Sequence, residues 1–276
     1  MENEHRKPDQ DDPAFIRLVR LGLELSTEVA GRGVGLGVSA GLGGDAAAIL
    51  AGAAAGAVAT RTLRKIGQEI AHWFIGQREA QRAGSLFVLT SKRIRDRLDS
   101  GERVRQDGFF DDETGRSAAD EITEATFLAV QRDPQERKLP FYADLLASFA
   151  FDSDIDERYA NLLVRLMRDL SFSQLCLLSL FGTQAVPLRP SNYTGVGNFD
   201  NDLAAVLLEV GELYRDNLLM PQGGGGGIPY GAITSIVPAN TRLQGASHEL
   251  YQRAGLVRLM DDPKTQDIAA ILRRAP

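Results

Sequence analysis

A chain of 276 residues accommodates one large domain or two small ones. With 43% hydrophobic and 25% charged residues it has the composition of a globular protein able to bury a core, and its net charge of −6 argues against duplex nucleic acid as a partner of the whole chain. The single cysteine, Cys176 in the run Leu175-Cys176-Leu177-Leu178, excludes an intrachain disulfide framework or a cysteine-based zinc site and reads as a buried, inert thiol.

The N-terminal MENEHRKPDQDD is charged and lacks the apolar core of a secretory signal, so residues 1–11 are expected to form a disordered tail in a reducing cytoplasm. Asp12 followed by Pro13 has the form of an N-cap and a first helical position, and Ile16, Val19 and Leu23 continue at helical spacing to about Ala30. Residues 33–59 then read GVGLGVSAGLGGDAAAILAGAAAGAVA, with eight glycines, ten alanines and Asp45 as the only charge. Gly33, Gly37 and Gly41 are four apart, as are Gly44, Ala48, Gly52 and Gly56. Small residues at that spacing make a flat helix face that a second helix approaches closely, in lipid or in a protein interface. At about 1.5 Å per residue, such a length of helix would cross a hydrocarbon core of about 30 Å. Gly43-Gly44-Asp45 is a natural break into two arms.

The apolar segment is followed by a basic one. Residues 61–107 hold eleven Lys/Arg against six Asp/Glu. Arg61, Arg64 and Lys65, with Lys92 and Arg93, form a candidate face for anionic lipid or an acidic partner. A helix over 61–78 places Leu63, Ile66, Ile70, Trp73 and Phe74 on one stripe, and another over 79–99 carries Leu86, Phe87, Ile94 and Leu98.

A polar loop runs from Ser100 to about Arg116, and Ser117 with Asp120 and Glu121 starts the next helix, which Asp133-Pro134 ends. Pro140 opens a helix to about Ala150. Residues 156–169 form another, with Tyr159, Leu162, Leu163, Leu166 and Met167 inward. Ser171 to Gln174 is a capping box before a short helix over Leu175–Phe181, closed by Gly182. Residues 183–199 are loop. Asp200–Asn217 is helix, with Leu203, Val206, Leu207, Val210 and Tyr214 apolar. Five glycines follow at 223–227, then a β-branched stretch at Ile233–Leu243 with strand character, and helices near 245–254 and 263–273.

The expected fold class is therefore mainly α. A helical N-terminal region (12–78) contains the Gly/Ala-rich hairpin or helix, 79–170 is a helical middle, and 171–276 is a winged-helix-like unit with minor β, the glycine run forming the tip of its wing.

Motifs of chemistry are weak throughout. Gly35-x-Gly37-x-x-Ala40 and Gly41-x-Gly43-x-x-Ala46 imitate a dinucleotide fingerprint but follow a helix where the fingerprint needs a strand. Asp152 to Glu157 imitates a calcium loop but lacks its glycine at position six and glutamate at position twelve; an acidic helix cap is the simpler account. His5, His72 and His248 have no second His or Cys nearby in sequence. No enzyme, metal or cofactor is expected.

The segment order, together with Asp107-Gly108-Phe109-Phe110-Asp111, Glu136 to Tyr142, Tyr159-Ala160-Asn161-Leu162 and Leu170 to Leu175, resembles uncharacterised bacterial and phage-associated helical proteins and, more loosely, the Abi-alpha abortive-infection group. That resemblance covers about residues 30–182. It implies a role in antiviral defence through membrane damage and transfers no catalytic residues. The expected function is a membrane-targeting or pore-forming effector, cytoplasmic and then peripheral to or inserted in the inner membrane, that self-associates through Gly33, Gly37, Gly41, Gly52 and Gly56. The alternative is a soluble self-assembling scaffold or adaptor that binds a protein partner. A winged-helix DNA-binding regulator is the third reading, and the acidic C-terminal region argues against it.

Overall fold

The computed structural model describes residues 12–31, 58–73, 76–112, 115–195, 200–222 and 233–274. They are mainly helical, with one small antiparallel strand pair. The described residues divide into two compact units, meeting at Arg168 and Asp169.

The first unit contains α1 (Pro13–Gly31), α2 (Val58–Ala71), α3 (Gln77–Asp99), α4 (Ala118–Arg132), α5 (Leu139–Phe149) and α6 (Glu157–Asp169), which runs up to the boundary. Asp12 caps α1 as expected, its Oδ1 accepting from Ala14 N at 3.0 Å. α3 is the central helix, packed against α1, α2, α4 and α5, with Ala83, Leu86, Phe87 and Val88 fully buried. Glycine lets α1 lie directly on it. A Cβ on Gly22 would stand 2.0 Å from the Gly84 carbonyl carbon, and one on Gly84 would stand 2.1 Å from Leu18 O. The Ser85 hydroxyl donates to Gly22 O at 3.0 Å across this crossing. Phe15 and Phe87 meet edge to face at 5.0 Å beside Gly67 of α2.

α1 and α2 each run antiparallel to α3: Phe15 of α1 meets Phe87 while Glu28 reaches Arg78, and Gly67 of α2 lies by Phe87 while Ala59 shares a cavity lining with Thr90 and Ile94. The start of α1 meets the end of α2, where Asp12 contacts His72 and Phe15 lies against Gly67. Gly31 therefore stands toward the Gln77 end of α3 and Val58 toward its Asp99 end. Residues 32–57, which carry nearly all of the Gly/Ala segment, lie outside the described residues.

Several boundaries differ from expectation for local reasons. α2 ends at Ala71, and Trp73 is 46% exposed rather than part of the buried stripe. In α6 the inward face is Ala160, Leu163, Val164 and Met167, while Tyr159, Leu162 and Leu166 are only half-buried. Asp133 terminates α4 as expected, and a turn of 3-10 helix over Glu136–Lys138 leads into α5.

The second unit is built around α7 (Phe172–Thr183), opened by the expected capping box: Ser171 Oγ accepts from Gln174 N at 3.0 Å, and Gln174 Oε1 accepts from Ser171 N at 2.9 Å. Leu175, Cys176, Leu177 and Leu178 are fully buried. Gly182 does not close this helix. It lies inside it, because a Cβ there would stand 2.7 Å from the Tyr251 ring, and Gln184 takes the left-handed capping position at φ 52°.

α8 (Asn201–Arg215) follows, capped by Asp200. Strand character at 233–243 is realised only in its last residues: two 3-10 turns, Ile233–Ser235 and Pro238–Asn240, precede β2 (Thr241–Leu243), which pairs with β1 (Leu219–Pro221) in the register Leu219↔Leu243. Pro238 interrupts any longer strand. α9 (Ala246–Arg253), a 3-10 segment and α10 (Pro263–Arg273) complete the unit, packing with β2 and α8 around α7.

Candidate functional site

The predicted oligomer positions Gly33, Gly37, Gly41, Gly52 and Gly56 all lie outside the described residues. The predicted basic face is described, and its members differ in state. Arg61 is exposed on α2, whereas Arg64 is buried at 8% exposure with its Nε lacking a hydrogen-bond partner. Lys65 reaches across to Asp120 on α4 at 2.7 Å, and that carboxylate also closes the α4 capping box with Ser117. Lys92 pairs with Asp96 one turn on, at 2.9 Å, and Arg93 Nε holds Asp144 of α5 at 2.7 Å. Three of the five cations thus already face carboxylates of their own unit.

Two ionic clusters that sequence reading did not single out lie inside the first unit. Lys138, 1% exposed at its side chain, meets Asp133 at 2.6 Å and donates to Arg168 O at 3.2 Å; the Tyr142 hydroxyl donates to the same Asp133 carboxylate at 3.0 Å. Arg82 donates to Asp133 O at 2.8 Å. Arg105, 3% exposed at its side chain, grips Asp107 through two nitrogens, donates to Ile155 O at 2.8 Å, and stacks over Phe109 at 4.2 Å. The Arg105 guanidinium hydrogen-bonded to Asp107 holds that carboxyl below its ordinary range. Asp133-Pro and Asp107-Gly-Phe-Phe look like turn signals in sequence. Their partners sit 5 and 2 residues away for Lys138 and Arg105, but burial of those cations has no local sequence signature.

These clusters are ion pairs whose cations are buried within the first unit. Cys176 is fully buried in α7, His72 sits at the surface 3.1 Å from Asp12, and His248 lies 2.9 Å from Gln252. Among the described residues, no group of three or more His, Cys, Asp or Glu is placed to hold a metal ion, and no helix is long and apolar enough to cross a membrane.

Concave surface is found in each unit. In the first, Thr62, Thr90, Phe109, Phe110 and Phe149 border a cavity of about 20 Å³, the size of a single water. In the second, a groove of about 290 Å³ lies between the C-terminal end of α7, residues 184–188 and the approach to β2, with Arg242 at its edge. Tyr193, fully buried beside it, donates to Leu272 O at 2.8 Å, and burial pushes its hydroxyl up to about 12. No protein family, no curated protein and no solved structure matches the chain.

Proposed function

We propose that this protein is a membrane-targeting or pore-forming effector of bacterial antiviral defence, in which residues 33–59 are the membrane-active and self-associating part. The observation that carries this reading is the placing of a long, nearly uncharged Gly/Ala sequence between α1 and α2, whose flanking residues Gly31 and Val58 lie toward opposite ends of α3. Its four-residue glycine spacing suits close helix–helix contact in lipid, where small residues replace the hydrophobic effect as the basis of association. Arg61, exposed at the start of α2, and the remaining surface of Lys65 supply positive charge beside the segment for anionic head groups. The protein is then cytoplasmic until it meets the inner membrane as a homo-oligomer. Flotation with anionic vesicles tests this: the intact protein is expected to float with lipid, and the Gly37→Leu/Gly41→Leu variant to float but fail to form cross-linkable oligomers. Intact protein that remains with the soluble fraction contradicts it.

The second reading is a soluble self-assembling scaffold or adaptor, favoured by the engagement of Lys65, Lys92 and Arg93 with Asp120, Asp96 and Asp144. Here the Gly/Ala sequence is a protein interface. The winged-helix-like reading of the C-terminal unit belongs with it: β1 and β2 form the stem and residues 223–227 the tip of a wing that addresses a protein partner. An oligomer that is stable without lipid or detergent in light scattering, and unchanged by vesicles, selects this reading.

A further inference from the structure

We propose that the groove of the second unit is a docking site for an acidic protein segment carrying an apolar anchor residue. The proposal is independent of residues 33–59, since the groove is built wholly from the second unit.

The groove has apolar walls and a cationic rim. Leu180, Val186, Pro187, Leu188 and Pro238 line it, and Arg242 closes one edge. Arg242 lines the groove, and Arg189, Arg273 and Arg274 adjoin its walls. Arg242 Nη1 donates to Ala239 O at 2.8 Å and to Thr241 O at 2.7 Å, and its Nη2 donates to Gln222 Oε1, which leaves Nε and one Nη2 N–H for a ligand. Ala239 N donates to Arg189 O at 3.0 Å, which joins the two wall segments. Arg189 Nη1 donates to Arg274 O at 3.4 Å and lies over the Tyr193 ring at 5.1 Å, while Arg273 Nε donates to Pro187 O at 2.9 Å.

Carbonyl acceptors orient a guanidinium without neutralising it. Of the four, Arg274 alone meets a carboxylate, Asp200 at 3.0 Å; among the described residues Arg189, Arg242 and Arg273 form no ion pair. This positive rim is local, because the chain from Asp169 onward has eight Lys/Arg against ten Asp/Glu. A guanidinium fixed in position, with N–H groups remaining, matches a carboxylate in two-point geometry. The apolar walls match a Leu, Ile, Val or Phe side chain next to it. The geometry favours peptide over nucleic acid: Phe181, the aromatic residue lining the groove, is 2% exposed, so it offers no open face for base stacking.

The test is panning of a phage-displayed random dodecapeptide library on the full chain, followed by fluorescence anisotropy with the enriched peptides. Enriched sequences are expected to place Asp or Glu within two residues of an aliphatic or Phe side chain. Their affinity should fall at least tenfold in Arg242→Ala and in Arg273→Glu, and weaken as salt rises. Arg273 is exposed, so its substitution keeps the test decisive if Arg242→Ala misfolds, as read by circular dichroism. The proposal is overturned by an absence of enrichment, by enriched peptides without acidic residues, or by affinities unchanged in Arg273→Glu. A random DNA duplex bound more tightly than any enriched peptide, and released by Arg273→Glu, overturns it in favour of nucleic acid.

Discussion

Gly22 and Gly84 leave no room between α1 and α3. A methyl group at either position would overlap the opposing main chain, at 2.0 and 2.1 Å. Gly22→Ala should therefore force the helices apart and lower stability by at least about 3 kcal/mol, at the upper end of overpacking costs; urea denaturation measures it, and a loss under about 1 kcal/mol would show that the crossing relaxes. Lys138 poses a different problem, because removing a buried cation leaves Asp133 charged in a site of low polarity. Lys138→Met should cost about 3–5 kcal/mol. Restoration of stability by the further change Asp133→Asn would assign that loss to the uncompensated charge.

Asp107 makes stability depend on pH with a definite sign. Arg105 lowers its carboxyl pKa in the folded protein below the unfolded value. The pairing thus contributes in full above the ordinary carboxylate range and is lost as pH falls through the lowered value. Between about pH 5 and pH 2, the urea midpoint of Asp107→Asn should decline less steeply than that of the unaltered protein. Parallel declines would contradict the assignment.

At the scale of elements, local chemistry predicts the helices well where caps and breakers are explicit. Asp12-Pro13, Ser117 with Asp120, Ser171 with Gln174, and Asp200 all appear as helix starts in the structure. The two capping boxes should each lose about 1 kcal/mol in Ser117→Ala and Ser171→Ala, measurable as additive shifts in stability because the boxes lie in separate units. Signals fail where tertiary packing overrides them. Gly182 has the sequence form of a C-cap yet is needed inside α7 for the approach of Tyr251. Trp73 fits the periodicity of α2, but the helix stops two residues earlier. The pairing of Leu219–Pro221 with Thr241–Leu243 joins segments twenty-two residues apart and leaves no local trace in either. Likewise, the arginine rim of the groove gathers residues 189, 242, 273 and 274 from separate stretches, so composition alone shows an acidic unit and hides its positive face.

For the molecule as a whole, the legible part was a mainly helical chain with an unusual Gly/Ala sequence between its first two described helices. The first unit uses glycine to bring α1 onto α3 within one chain. The proposed effector function uses the same principle between chains, through Gly33, Gly37, Gly41, Gly52 and Gly56. This reading also limits how the basic residues act: Lys92 and Arg93 are engaged with Asp96 and Asp144, and Arg61, with the exposed part of the Lys65 side chain, is left to meet lipid head groups.

The most direct measurement is dye leakage from vesicles of anionic phospholipid, comparing the full chain with Gly37→Leu/Gly41→Leu at equal helicity. The account predicts leakage by the full chain that rises more steeply than linearly with protein concentration and is lost in the double variant. Equal leakage from both proteins, or none from the full chain, would contradict it.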